Sequence, residues 1–155
     1  MKEEENNSVE VDHIAEPPRM GRWISVLYRQ FQSFINHALK DLDISSSEYA
    51  FLLTLYYREG VSQETLSSHL YIDKAATARA INLLESKGYV IRKKDEVDRR
   101  KNRIYITEKG LSVKGDLKKA LNEWNEIITE GLDSKTIEQL SYNLREMSLK
   151  VTNLT

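Results

Sequence analysis

A chain of 155 residues, 40% hydrophobic and 30% charged, has the makeup of one ordinary folded domain or of one domain with an added assembly layer, and leaves no room for a second enzyme-sized unit. It contains no cysteine, which excludes disulfides, thiolate metal sites and cysteine redox chemistry, and no stretch approaches the roughly 20 apolar residues of a membrane span. The net charge of −1 hides a split: residues 1–16 hold one Lys against six acids, whereas Arg92 to Arg103 hold seven basic residues against three acids, so an anionic partner is expected to meet that short basic segment.

Only two prolines and six glycines favour long helices, so a mostly α fold is expected. The opening residues, acidic and without the apolar run of a secretion signal, read as a mobile arm, or else as a strap laid over a partner subunit, ending at Pro17-Pro18, and a cytoplasmic location is expected. From Met20 to Leu42, Trp23, Ile24, Leu27, Phe31, Phe34, Ile35, Ala38 and Leu39 recur at three- and four-residue steps, the period of an amphipathic helix. A second helix begins at Ser45 with Glu48 closing a capping box, and stops near Gly60.

Ser62 can cap a short helix bearing Leu66 and Leu70, and Asp73 can cap the next, which carries Thr77, Ala80, Ile81 and Leu84 inward and ends near Gly88. So tight a turn between two helices makes a helix-turn-helix. Tyr89 to Ile91 then reads as a strand, Lys93 to Asn102 as a charged loop and Arg103 to Ile106 as a returning strand, together a two-stranded wing. Thr107 caps one long helix reaching Gly131. In the last helix Ile137, Leu140, Leu144, Met147, Val151 and Leu154 step by three and four residues, a narrow seam that suits either packing on the first helix or a helix shared between two subunits.

The stretch from Asp95 to Gly110, with Asp98-Arg99-Arg100 and then Ile106-Thr107-Glu108-Lys109-Gly110, preceded by Leu84-Glu85-Ser86-Lys87-Gly88-Tyr89-Val90, closely resembles the wing and flanks of MarR-type (multiple-antibiotic-resistance) regulators. The resemblance covers roughly residues 20–150. It implies a winged helix-turn-helix transcription regulator, most simply a homodimeric repressor on a pseudo-palindromic double-stranded DNA site. The implied division is an acidic arm (1–19), a first dimerisation helix (20–44), a DNA-binding domain (45–110) and C-terminal dimerisation helices (111–155), with Ile137, Leu140, Leu144, Met147 and Val151 at the subunit contact. The sequence departs from the family's usual pattern at Ala76 and Ala78, where Ser or Thr is common, and at Glu96, which replaces a wing proline.

The residues themselves fit that chemistry. On the second helix of the pair Lys74, Ala75, Ala78, Arg79 and Asn82 face outward; an Arg can fork onto guanine, an Asn can bridge adenine edges and an Ala can approach a thymine methyl. Arg99, Arg100 and Lys101 crowd the hairpin tip, where Arg100 or Arg99 suits a narrow minor groove and Asp98 is placed to hold an arginine. Ser62, Gln63 and Thr65 suit a phosphate at a helix start. The resemblance further implies a pocket for a small aromatic or phenolic effector, for which Trp23, Tyr28, His37, Tyr49 and Tyr56 are candidates, although core packing explains each of them as well. The histidines at 13, 37 and 69 lack ligand spacing, no catalytic motif appears, and neither a metal, a cofactor nor enzyme activity is expected. The alternative from another class is a winged helix used for protein interaction without DNA.

Overall fold

The computed structural model describes residues 19–152 and Leu154, so the arm expected over residues 1–19 lies, apart from Arg19, outside the described residues. Among the described residues the elements run α1 (Met20–Ala38), α2 (Tyr49–Leu55), β1 (Val61–Ser62), α3 (Gln63–Leu70), α4 (Lys74–Ser86), β2 (Val90–Lys94), β3 (Asn102–Ile106), α5 (Glu108–Ser112), α6 (Lys114–Thr129) and α7 (Ser134–Val151). The fold is mostly helical with a small antiparallel sheet in the order β1-β3-β2.

Four boundaries differ from the sequence reading, each for a local reason. The first helix stops at Ala38, where the chain tightens into a 3-10 turn over Lys40–Leu42 and Asp43 turns left-handed at φ 51°, a corner pinned by the buried Leu39 and Ile44. The second helix starts at Tyr49 and not at Ser45, because only half of the capping box forms: the Glu48 carboxylate accepts from the Ser45 backbone N–H at 2.9 Å and from its hydroxyl at 2.6 Å, and the Ser45 hydroxyl is thereby turned away from the Glu48 amide. The wing is longer than expected, since Lys93 and Lys94 continue the ladder opposite Arg103 and Asn102, and it gains β1 as a third strand, with Val61 opposite Ile104. The helix after Thr107 divides at Val113, whose buried side chain sits between α5 and α6 while the Ser112 hydroxyl donates to the Lys109 carbonyl at 2.7 Å.

The core lies beneath α2, α3 and α4 and against the wing's inner face. Leu52, Leu66, Ile81, Leu84, Ile104 and Leu117 are fully buried, each contributing roughly 1.5–3 kcal/mol by leaving water. The stripe Thr77, Ala80, Ile81 and Leu84 is buried as the helical period requires, which fixes the opposite face of α4 outward. The Trp124 ring of α6 packs on Phe31 and Phe34 of α1 at centroid distances of 5.3 and 5.5 Å. The C-terminal end of α4 is anchored by a polar cluster. Lys87 Nζ donates to both Glu48 carboxylate oxygens at 2.8 and 2.9 Å and to the Asp43 carbonyl at 2.7 Å, and the Tyr89 hydroxyl donates to the Leu42 carbonyl at 2.6 Å. Glu48 is only 1% exposed, so Lys87 is the cation that makes its burial tolerable.

Candidate nucleic-acid interface

Two capped helix starts define the outward surface. Ser62 Oγ accepts from the Thr65 amide at 3.1 Å and lies 2.9 Å from the Thr65 hydroxyl, while Asp73 Oδ1 accepts from the Ala76 amide at 2.8 Å. Between the helices Tyr71 takes the left-handed conformation, φ 54°, and the chain reverses in three residues. The first turns of α3 and α4 meet: Lys74 Nζ lies 3.0 Å from Glu64 Oε1, a pair between exposed groups that water and salt screen strongly. Along α4, Lys74, Ala75, Arg79 and Asn82 are exposed and Ala78 half-buried; the Arg79 guanidinium has no polar partner among the described residues.

The wing tip is organised by Asp95, which sequence reasoning did not single out. Its buried carboxylate accepts the backbone N–H groups of Val97 and Asp98, each at 2.8 Å, and pairs with Arg103, whose Nη1 donates onward to the Gly60 carbonyl at 2.9 Å. The Asp98 amide, then the Arg103 guanidinium and the Val97 amide hold the Asp95 carboxyl down at about 2. Asp98 does not hold an arginine side chain, contrary to expectation: it accepts the Arg100 backbone N–H at 3.1 Å and sits 4.0 Å from Lys101 Nζ, because the turn it occupies directs it at its own backbone. Arg99 and Arg100 are consequently exposed, with guanidinium groups unpaired among the described residues.

Helix and wing are joined by Arg92 of β2, also not anticipated as a site residue. Its guanidinium pairs with Glu85 of α4, and Nη2 donates to Asn82 Oδ1 at 2.7 Å and to Gln63 Oε1 at 3.3 Å. The Arg92 backbone N–H donates to the other Glu85 oxygen at 3.2 Å. Arg92 thus lines one wall of a polar cavity of about 310 Å³ between the start of α3 and the wing, with Ser62, Gln63, Glu64, Lys101 and Asn102. The spacing that could have revealed it is Asn82 and Glu85, three apart on one side of α4 and followed at once by a strand.

The other expected groups fall elsewhere. Leu140, Leu144 and Val151 of α7 are exposed and Ile137 and Met147 half-buried; α7 buries no residue at all. Leu140, Leu144 and Met147 instead line an apolar groove of about 560 Å³ opposite Met20, Trp23, Ile24 and Leu27 of α1. The five effector candidates are not gathered into one site within the chain. Trp23 is in that groove, Tyr28 accepts from Gln32 Nε2 at 2.9 Å, Tyr49 stands edge-on to Phe31, and His37 is exposed. The Tyr56 hydroxyl donates to the Gly110 carbonyl at 2.7 Å, and burial, aided by the neighbouring Tyr89, pushes its ionisation up to about 12, so it remains a structural donor.

Two capped helices joined by a three-residue turn, followed at once by a basic antiparallel wing, define a winged helix-turn-helix protein. The MarR family model matches residues 44–101, which span the α2–α4 helices and the wing tip. The "Uncharacterized HTH-type transcriptional regulator YybA" of Bacillus subtilis (strain 168) is 31% identical over 77% of this chain and 80% of its own length. The crystal structure of a MarR transcriptional regulator from Methanosarcina mazei Go1 is 39% identical, with TM-score 0.82 over 88% of this chain and 98% of that one. A putative MarR family regulator from Listeria monocytogenes, complexed with a 26mer DNA, shares the fold at 24% identity, with TM-score 0.83 over 88% of this chain and 91% of that one. The chain belongs to the MarR family, a family of transcription regulators and not of enzymes.

Proposed function

We propose that the chain works as a homodimer that binds a pseudo-palindromic DNA site and represses transcription by occluding a promoter. The observation that carries the reading is the arrangement of cations without partners among the described residues: Arg79 on the exposed face of α4, and Arg99 and Arg100 on a wing tip tied together by Asp95, all belonging to one covalently continuous helix–wing unit. A helix with Arg79 and Asn82 outward suits the major groove, and a tip carrying two free arginines suits the strongly negative minor groove beside it. The Listeria relative of the same fold is held on DNA in its crystal.

Dimerisation is supported by the groove between α1 and α7. Trp23 is 58% exposed and Leu144 55% exposed, and both belong to a contiguous apolar strip of a kind that monomers rarely leave open to water. The three- and four-residue steps along α7 match a helix seam with a second copy of the same chain. Selecting bound fragments from a fragmented bacterial genome with the purified protein tests the function. Enrichment of sites with two-fold symmetric half-sites near promoters is expected, whereas a pool no different from the input would refute it.

A further inference from the structure

Arg92 determines which way two interface amides point. A guanidinium carries only donors, so any amide atom that faces it at hydrogen-bond distance must be the oxygen. Arg92 Nη2 meets the oxygen of Asn82 at 2.7 Å and that of Gln63 at 3.3 Å. Both carbonyl oxygens are therefore turned toward the Arg92 guanidinium, and neither NH₂ group donates to a partner among the described residues. Glu85 pairs with the same guanidinium, which neutralises it internally.

We propose that Arg92 is a positioning residue that locks Asn82 and Gln63 as outward hydrogen-bond donors, and that Asn82 consequently reads base-edge acceptors instead of making the two-bond adenine contact. This rests on the DNA-binding reading above. Adenine recognition uses the amide oxygen to accept from N6 and the nitrogen to donate to N7. With its oxygen directed at Arg92, Asn82 cannot bring that oxygen to adenine N6 while its NH₂ meets N7, and presents the donating half. Guanine, with two acceptors on its major-groove edge, then becomes the favoured base, adenine loses its advantage, and cytosine, which presents a donor, is rejected. Gln63, at the start of α3, offers its NH₂ to a phosphate oxygen by the same mechanism.

The test uses the full chain in two arms. Without DNA, the side-chain amide signals of Asn82 and Gln63 are recorded by NMR in wild type, Arg92→Lys and Arg92→Met; both signals are expected to shift while those of Asn125 on α6 and Asn143 on α7 stay in place. Signals that do not move would show that Arg92 does not hold the amides. In the second arm a duplex selected by wild type from a random-sequence pool is varied base by base and bound by wild type, Asn82→Ala, Arg92→Met, Arg92→Lys and the Asn82→Ala/Arg92→Met double variant. One position in each half-site is expected to prefer guanine over adenine and to exclude cytosine, with a penalty of about tenfold per half-site. Arg92→Met should lose that preference without changing the slope of log affinity against log salt, and the double variant should bind no more weakly than Asn82→Ala. Arg92→Lys, which keeps the charge and is checked by melting to be folded, should lose it too.

A guanine-over-adenine preference that survives unchanged in Arg92→Met overturns the proposal. So do additive losses in the double variant, or a salt slope that falls by about 1 per subunit, which would place Arg92 on a phosphate. If wild type selects no duplex at all, the DNA-binding reading fails, and the NMR arm still judges the hold of Arg92 on the two amides.

Discussion

Arg79 and Arg100 occupy different surroundings, and their removal should have different consequences. Arg79 sits on the reading face of α4 without a partner among the described residues, so Arg79→Ala is expected to lose roughly 1–3 kcal/mol on the preferred site and much less on unrelated DNA. Arg100 sits on the wing tip, so Arg100→Ala should weaken both kinds of DNA alike and reduce the salt slope by about 1 per lost phosphate contact. Binding curves at several salt concentrations separate the two, and a specificity loss confined to Arg100→Ala would exchange their roles. Both positions were readable from the sequence, because helical period and hairpin alternation fix which side chains point out. The bonds from Arg92 to Asn82 and Gln63 were not, because they join β2 to α4 and α3, whose mutual placement only the packed core decides; those of Asp95 are local to the hairpin loop, whose turn the sequence reading did not resolve.

Asp95 also sets the acid sensitivity of the wing. Its carboxyl is held down at about 2, below the ordinary 3.8, so the folded wing favours the charged form. The resulting stability is fully present above about pH 4 and disappears as pH falls from there towards 2. An NMR titration should show the Val97 and Asp98 amides losing hydrogen-exchange protection in that window, and Asp95→Asn should remove the step. Protection that stays constant to pH 2 would show that Arg103 and the ladder hold the tip without the charge.

Among the elements, one contact anchors the end of α4 and another seats α5 under the wing. Lys87 joins the C-terminal end of α4 to the corner between α1 and α2, and Lys87→Met leaves Glu48 buried and unpaired; a loss of about 3 kcal/mol in denaturant melting is expected, while Glu48→Gln with Lys87→Met together should recover part of it. Gly110 of α5 lies so close under the wing that a Cβ there would run into the Tyr89 carbonyl oxygen, with the Ile106 side chain 3.2 Å away on another side. Gly110→Ala is expected to cost roughly 1–3 kcal/mol by forcing α5 away from β2. The sequence placed α3, α4 and the hairpin correctly because caps, turn residues and alternation all agree there. It missed β1, whose two residues carry no periodicity, and the break at Val113, where a local side-chain hydrogen bond competes with an otherwise uninterrupted helical pattern.

At the scale of the whole molecule, the chain has two unequal regions: a packed helix–wing unit with a full core, and a terminal pair of helices, α1 and α7, that meet across an open apolar groove. The seam on α7 was visible as a three-and-four-residue rhythm, but the sequence could not choose between packing within the chain and packing between chains. The exposure of Leu140, Leu144 and Val151 favours a second subunit. Replacing Leu144 and Met147 together by Lys should place charge in that contact and dissociate the dimer in sedimentation; an intact dimer with unchanged melting would place the interface elsewhere.

Sequence-specific recognition of DNA by the face formed by α4 and the wing underlies the DNA-binding predictions above. It is tested most directly by measuring the affinity of the purified wild-type protein for its selected duplex and for a scrambled duplex of the same length and composition, over a range of salt concentrations. A preference of roughly a thousandfold or more for the selected duplex is expected, with both affinities falling linearly in log salt. Equal affinity for the two duplexes, or no binding to either at low salt by protein that melts cooperatively, would contradict it.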